Sequence, residues 1–170
     1  MYFFTADEHY GHEACIEYCN RPFDTVEEMD EALISRHNQR VGVNDVVIHG
    51  GDFCWSNNKK TAYEKYISKL QGNHVFIEGS HDHWLPSSAH EMWEKTISGE
   101  HVTVCHYPLT RWPRSHYNSW LLYGHVHGRF KVSGKAWDIG VDNNNFYPLS
   151  WDEIKTIMAT LPDNQNLVRR

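Results

Sequence analysis

No run of apolar residues in this chain approaches the length needed to cross a bilayer. The opening Met1-Tyr2-Phe3-Phe4-Thr5-Ala6-Asp7 also lacks the basic region and long apolar stretch of a secretion signal. A soluble, cytoplasmic protein with no membrane partner is expected. Cysteine is sparse: Cys15, Cys19, Cys54 and Cys105 are the only four. Cys15 and Cys19 are one helical turn apart, but no Cys/His pair follows at zinc-finger spacing, so free thiols in a reducing compartment are expected. Positive charge is in deficit, with 16 Lys and Arg against 22 Asp and Glu and a net charge of -6. That argues against strong non-specific binding to nucleic acid. A small phosphorylated substrate stays open, because bound cations can supply positive charge locally. With no repeat and no Gly/Ser-rich or Pro-rich linker, residues 1–170 are expected to form a single domain, long enough to bury a core without disulfides.

What the chain has in excess is histidine, 13 in all. Packing alone rarely calls for so many, and imidazole is both the commonest metal ligand and a group that titrates near neutrality. Short apolar runs, at Tyr2-Phe3-Phe4, Val46-Val47-Ile48, Val75-Phe76-Ile77, Val102-Thr103-Val104 and Leu121-Leu122-Tyr123, read as buried strands. Between them lie helical patterns. Thr25-Val26-Glu27-Glu28 opens one with Val26, Met29, Leu33 and His37 on one face. Residues 59–70 read as a second, with Tyr63, Tyr66, Ile67 and Leu70 together. Ser150-Trp151-Asp152-Glu153 opens a third that runs to Pro162. Alternating strands and helices in the first half imply parallel βαβ crossovers. The closer-spaced strands at 102–105, 119–123 and 136–141 imply a second, mixed or antiparallel sheet. The expected class is α/β, with two packed mixed sheets flanked by helices.

Each run is followed by residues that carry chemistry: Asp7-Glu8-His9, Gly51-Asp52, Gly79-Ser80-His81-Asp82, His106, and Gly124-His125-Val126-His127. Ligands in open α/β sheets bind outside the carboxyl ends of the strands. Ionisable groups gathered there are costly unless paired or metal-bound. Asp7 and His9, two apart, are expected to project the same way from an extended segment, as are His125 and His127.

The set resembles the calcineurin-like metallophosphoesterase superfamily, whose motifs run D-x-H, G-D, G-N-H-D, H and G-H-x-H. Gly11-His12 and Asn20-Arg21-Pro22-Phe23 look like the compact bacterial and phage members. The resemblance implies a four-layer fold and two divalent cations among Mn, Fe, Zn, Ni or Co, with Mn favoured. One would be held by Asp7, His9, Asp52 and His127, the other by Asp52, His106, His125 and position 80, with Asp52 bridging. It implies a bridging water or hydroxide as nucleophile, His81 as the catalytic histidine, and Asp82 beside it orienting His81 or its loop. Ser80 stands where the family has Asn, a better donor, which implies a weakened second metal. His12 and Arg21 are candidates for contacting the substrate phosphate, each against a reading as a surface residue. Glu8 should point away from the metals. Arg111, Trp112, Arg114 and Trp120 could stack a nucleobase, though an ordinary aromatic cluster is the better reading. The implied activity is hydrolysis of a small phosphoester, a phosphodiester or phosphomonoester and conceivably a nucleotide. A nuclease is disfavoured by the charge. A scaffold that binds a protein partner is favoured only by Ser80, and a structural zinc domain would want more cysteine. The sequence leaves the oligomeric state open.

Overall fold

The computed structural model describes residues 1–168, so the last two residues of the expected 1–170 domain lie outside it. Among the described residues there are eight strands: β1 Tyr2–Thr5, β2 Val46–His49, β3 Asn73–Phe76, β4 Met92–Ile97, β5 Glu100–Cys105, β6 Trp120–Tyr123, β7 Ala136–Asp138 and β8 Leu149–Ser150. Four α-helices accompany them: α1 Glu13–Tyr18, α2 Val26–Arg40, α3 Lys59–Lys65 and α4 Trp151–Thr160.

The strands form two four-stranded sheets, ordered β3-β2-β1-β8 and β4-β5-β6-β7. In the first, β1, β2 and β3 are parallel, as the helical crossovers require, and β8 returns antiparallel on β1. In the second, β4 and β5 make an antiparallel hairpin, and β5, β6 and β7 pair in parallel. Both sheets are therefore mixed. Their facing sides meet in one core that contains Phe4 and Ile48 from the first sheet, Val102, Val104 and Leu122 from the second, and Trp151, Ile154 and Met158 from α4.

The other face of the first sheet is covered by α2 and α3, through Met29, Leu33, Ala62 and Tyr66 packed on Tyr10 and Phe53. The outer face of the second sheet carries Leu121, Tyr123 and Ala136 under Trp112 and Leu109. The core places Phe4, Val47, Ile48, Val104, Leu121 and Leu122 at or below 1% exposure, which ranks the central strands as the fixed frame on which the intervening loops are hung.

Two helical readings need adjustment. The pattern at 59–70 is not one helix: α3 stops at Lys65 and a 3₁₀ turn covers Ile67–Lys69. Tyr63 consequently faces solvent at 56% exposure, while Tyr66 and Leu70 stay buried. The capping box of α4 forms in both directions between Ser150 and Glu153. At α2 only half of it forms. Thr25 accepts from the Glu28 N–H, but the Glu28 carboxylate accepts from the Asp24 N–H instead of that of Thr25.

Candidate metal centre

The loops leaving β1, β2, β5 and β6 bring six His and Asp side chains together at the carboxyl edge. Ligand atoms of Asp7, His9 and His127 lie within 4.8 Å of one another, and so do those of Asp52, His106 and His125. Asp52 sits between the two groups. Its Oδ2 is 3.6 Å from His9 Nε2 and 3.3 Å from His106 Nε2. Both of those nitrogens are buried and have no hydrogen-bond partner among the described residues. A buried imidazole nitrogen left open is costly unless something else satisfies it. A donor set of imidazole and carboxylate fits a divalent transition metal.

The expectation of extended segments at Asp7/His9 and His125/His127 does not hold. Asp7, His9, Asp52, His125 and His127 all adopt left-handed backbone, with φ of 57°, 55°, 56°, 72° and 48°. Such conformations cost on the order of 1 kcal/mol for a residue with a Cβ. The reason is the tightness of the turns. Each loop must leave its strand and reverse at once, so the side chains converge through the turn and not through strand pleating. Adjacent glycines allow the close approach: a Cβ on Gly79 would collide with Asp52 N and Oδ1, and one on Gly124 would come within 2.7 Å of Asp7 Oδ2.

The ring nitrogens that face away from the cluster are held. His106 Nδ1 is 3.0 Å from the Gly50 carbonyl, and His127 Nδ1 is 2.7 Å from Asp142 Oδ2. His9 Nδ1 is 3.2 Å from His12 Nδ1. Outer partners of this kind fix tautomer and ring orientation, leaving Nε2 for a metal. Asp7 accepts the His125 N–H with both oxygens, at 2.9 and 3.0 Å.

Electrostatics follow the same layout. Burial drives the Asp7 carboxyl up to about 7, against the pull of His106 and His127. Burial works against ionised Asp52 too, yet the His106 imidazole 3.3 Å away, with help from His9, holds it below the ordinary carboxylate range. His127 is raised to about 10: burial opposes its charge, but bonds to Asp142 and Cys19 prevail. His9 lies well below 6.5 because burial dominates. The cluster thus carries charged and uncharged forms at close quarters, which a bound cation would reorganise.

The remaining predicted residues divide. Ser80 is exposed and its hydroxyl donates to Asp52, 3.0 Å to Oδ2 and 3.3 Å to Oδ1. His81 donates its N–H to Asp52 Oδ1 at 2.8 Å, and its ring lies 5.5 Å from that of His9 and 5.6 Å from that of His12. Asp82, expected beside His81 in the chemistry, does not bond to the His81 side chain. It is 2% exposed and accepts from the backbone N–H of Asp52, Phe53 and Gly79 and from Trp84 Nε1. With its oxygens so engaged it braces the two loops, which corrects its placement among the catalytic residues to the loop-orienting one.

Arg21 is also corrected. It is neither a phosphate clamp nor a surface residue, because at 5% exposure its guanidinium is consumed by Asp142 and by the carbonyls of Asp7 and Glu8. His12, 8% exposed, stacks on Trp55 at 4.3 Å and remains at the cluster. Trp112 donates to the Ser119 carbonyl and Trp120 packs on Trp151, so neither is free to stack a base.

Three features escaped the sequence. Asp142, in a polar run with Asn143, Asn144 and Asn145, bridges Arg21 and His127. Its only signal is a lone carboxylate shortly after β7. An exposed aromatic fringe of Tyr18, Trp55 and Tyr107, at 61%, 52% and 46%, adjoins His12, His81 and His125. Finally, Glu8 points away from the cluster as expected, but the buried bond it makes to His49 left no signal in the sequence.

No protein-family model matches the chain. The uncharacterized protein MJ1445 of Methanocaldococcus jannaschii is 30% identical over 156 residues, spanning 88% of this chain and 86% of that protein. Among solved structures, the protein of unknown function AQ665 from Aquifex aeolicus shares the fold with a TM-score of 0.71 at 22% identity, covering 92% of this chain and 98% of that one. A predicted phosphoesterase from Streptococcus pneumoniae aligns at 13% identity and a TM-score of 0.42, over 82% of this chain and 70% of its own.

Proposed function

We propose that this chain, whose strand-end motifs resemble those of the calcineurin-like metallophosphoesterase superfamily, hydrolyses phosphate esters, diesters before monoesters, at a dinuclear centre on the strand ends. The observation that carries the reading is the pair of open, buried nitrogens, His9 Nε2 and His106 Nε2, aimed at one oxygen of Asp52. Asp7, His9, Asp52 and His127 would hold one cation and Asp52, Ser80, His106 and His125 the other, with manganese favoured for a mixed nitrogen and oxygen set. When bound, the two ions supply Lewis acidity at the phosphoryl oxygens and make water a competent nucleophile at neutral pH.

The chain's own residues do the rest. The Asp52 carboxylate takes the His81 N–H and so fixes the start of that loop, leaving the half-buried imidazole to protonate the departing oxygen. His12 is oriented by its contact with His9 and by the Trp55 ring, and faces a phosphate oxygen with its remaining nitrogen. Arg21 and Asp142 act at one remove, holding His127 and the Asp7-Glu8 backbone still. The exposed Tyr18, Trp55 and Tyr107 suit an ester with an aromatic group, a nucleotide among the candidates. An open site of this kind makes little demand on the leaving group, which favours diesters.

The test is hydrolysis of bis-p-nitrophenyl phosphate by chelator-stripped protein. Activity restored by Mn²⁺ is the expected result. No hydrolysis of this diester or of p-nitrophenyl phosphate with any of the five metals would overturn the reading and turn attention to a non-catalytic scaffold.

A further inference from the structure

Two thiols lie immediately behind the first group of ligands and have no part in the proposed hydrolysis. Cys15 is buried at 1% exposure inside α1, and Cys19 caps the end of that helix and is partly exposed. Their sulfurs are 3.7 Å apart. Cys15 Sγ lies within 4.8 Å of ligand atoms of His9 and His12, and Cys19 Sγ within 4.8 Å of those of His127 and Asp142. The pair therefore lies within 4.8 Å of a ring nitrogen of both imidazoles of the Asp7–His9–His127 group. Cys54 and Cys105, by contrast, are buried elsewhere in the protein and make no thiol–thiol hydrogen bond among the described residues.

Geometry permits a bond between the two sulfurs. At a rise of 1.5 Å per residue, positions four apart on a helix have Cα atoms about 6 Å apart, inside the range disulfides span. The helix ends at Tyr18, and Cys19 has φ -100° and ψ 1°, so the adjustment falls on a frayed last turn. A loop of so few residues gains little from closure, so the bond would be a labile one that thiols readily reduce.

We propose that Cys15 and Cys19 are a peroxide-responsive modification site whose disulfide weakens cation binding at Asp7, His9 and His127. Cys19, the more accessible sulfur, attacks hydrogen peroxide and cleaves its O–O bond. It becomes a sulfenic acid, and the other oxygen leaves as water with the thiol proton. The Cys15 sulfur then displaces the hydroxyl group from Cys19, forming the S–S bond, and a second water carries off its proton. The two thiols together lose two electrons and the peroxide is reduced to two waters. A small thiol reductant reverses the change. Closing the sulfurs from 3.7 Å to about 2.05 Å moves at least one of them relative to the histidine beside it. Disturbing an outer neighbour of that kind costs metal affinity, here about tenfold.

The bond itself does not depend on the metal reading, whereas its effect on cation binding rests on it. The experiment treats reduced, purified full-length protein with hydrogen peroxide, alkylates remaining thiols, and maps the peptide that carries both cysteines. Mn²⁺ affinity is then titrated on the reduced and oxidised forms. The expected result is loss of two hydrogens confined to Cys15 and Cys19, about tenfold weaker Mn²⁺ binding after oxidation, and recovery with dithiothreitol. Cys19→Ser should form no intramolecular bond and bind Mn²⁺ alike before and after peroxide. Two alkylatable thiols surviving at 15 and 19, or over-oxidation with no S–S bond, would overturn the modification site. A disulfide with unchanged Mn²⁺ affinity would overturn the coupling. A reduced protein that binds no Mn²⁺ would overturn the metal reading and the coupling with it, leaving the bond standing on its own mass shift.

Discussion

Histidine gathers in two places in this molecule, and the two gatherings are opposites. Behind the first sheet, His37, His49 and His74 lie together: the His49 ring is 6.2 Å from that of His37 and 5.2 Å from that of His74. There His49 Nδ1 meets Glu8 at 2.6 Å, His49 Nε2 meets His74 Nδ1 at 3.0 Å, and His37 Nε2 meets the Gln71 carbonyl at 2.8 Å. The open atoms of that chain, Glu8 Oε2 and His74 Nε2, are at its two ends with no common target. At the strand ends the open atoms converge on one carboxylate. Burial keeps the first set uncharged, with His37 and His74 pushed down to about 4, His49 to about 3, and Glu8 up to about 8. At the strand ends, Asp7, Asp52 and Asp142 instead hold His106 and His127 up. A count of histidines cannot separate packing from chemistry; the destination of each ring nitrogen does.

The sharpest way to break this contrast is at Asp52. Asp52→Asn should reduce metal-dependent hydrolysis on the order of a thousandfold, several kcal/mol of barrier, with the circular dichroism spectrum retained. An active D52N would put the chemistry elsewhere.

The buried set should respond in stability and not in metal binding. His49→Leu leaves the Glu8 carboxyl buried without its partner and should cost about 3 kcal/mol in urea unfolding. The three buried rings should also contribute less in acid. The folded pKa values of His37, His49 and His74 lie below the unfolded value of 6.5. Their contribution is therefore complete above that value and is lost as pH falls from 6.5 towards 4. The limiting slope is about 1.4 kcal/mol per pH unit for each group. Glu8 and Asp7, raised to about 8 and about 7, act in the opposite sense over the same fall, so the check is a difference. A gap in urea midpoint between wild type and His37→Leu that does not change between pH 7 and 4.5 would show that the ring is already solvated.

Asp142→Asn tests whether the outer contacts of the strand-end set matter as its geometry demands. Removing the charge beside His127 and Arg21 should weaken Mn²⁺ binding by about 10- to 100-fold, read by calorimetric titration, with the second cation less affected than the first. The smallest effect is expected at position 80. Ser80→Asn should tighten the second cation by a few-fold, about 1 kcal/mol. Equal affinities in both proteins would mean the hydroxyl already serves as well as an amide.

Much of this layout was legible in the sequence, for a physical reason. Central strands buried on both faces, such as β2 and β6, leave an unbroken apolar run, and the glycines, histidines and aspartates that follow mark where each run ends. The edge strands β4 and β8 leave no such mark. In β4, Glu94, Lys95 and Thr96 are exposed, so Met92–Ile97 reads as a polar loop until it is paired with β5. β8 is two residues long and merges into the cap of α4. Within the site, the strand-end residues were legible because they follow their strands directly. The Arg21–Asp142 pair was not, because it joins residues 121 apart in segments that show no strand or helix period. Glu8 could be turned away from the metals by its position between Asp7 and His9, but its partner His49 could not be named without the fold.

The left-handed turns at Asp7, His9, Asp52, His125 and His127 set stability and chemistry against each other. At each of them glycine would relax the backbone. At Asp7 and Asp52 that relief is offset, because their carboxylates accept the backbone N–H groups of His125 and His81. Selection for durability alone would therefore press first on the strained histidines of the strand-end cluster, while the buried histidines behind the first sheet would be kept.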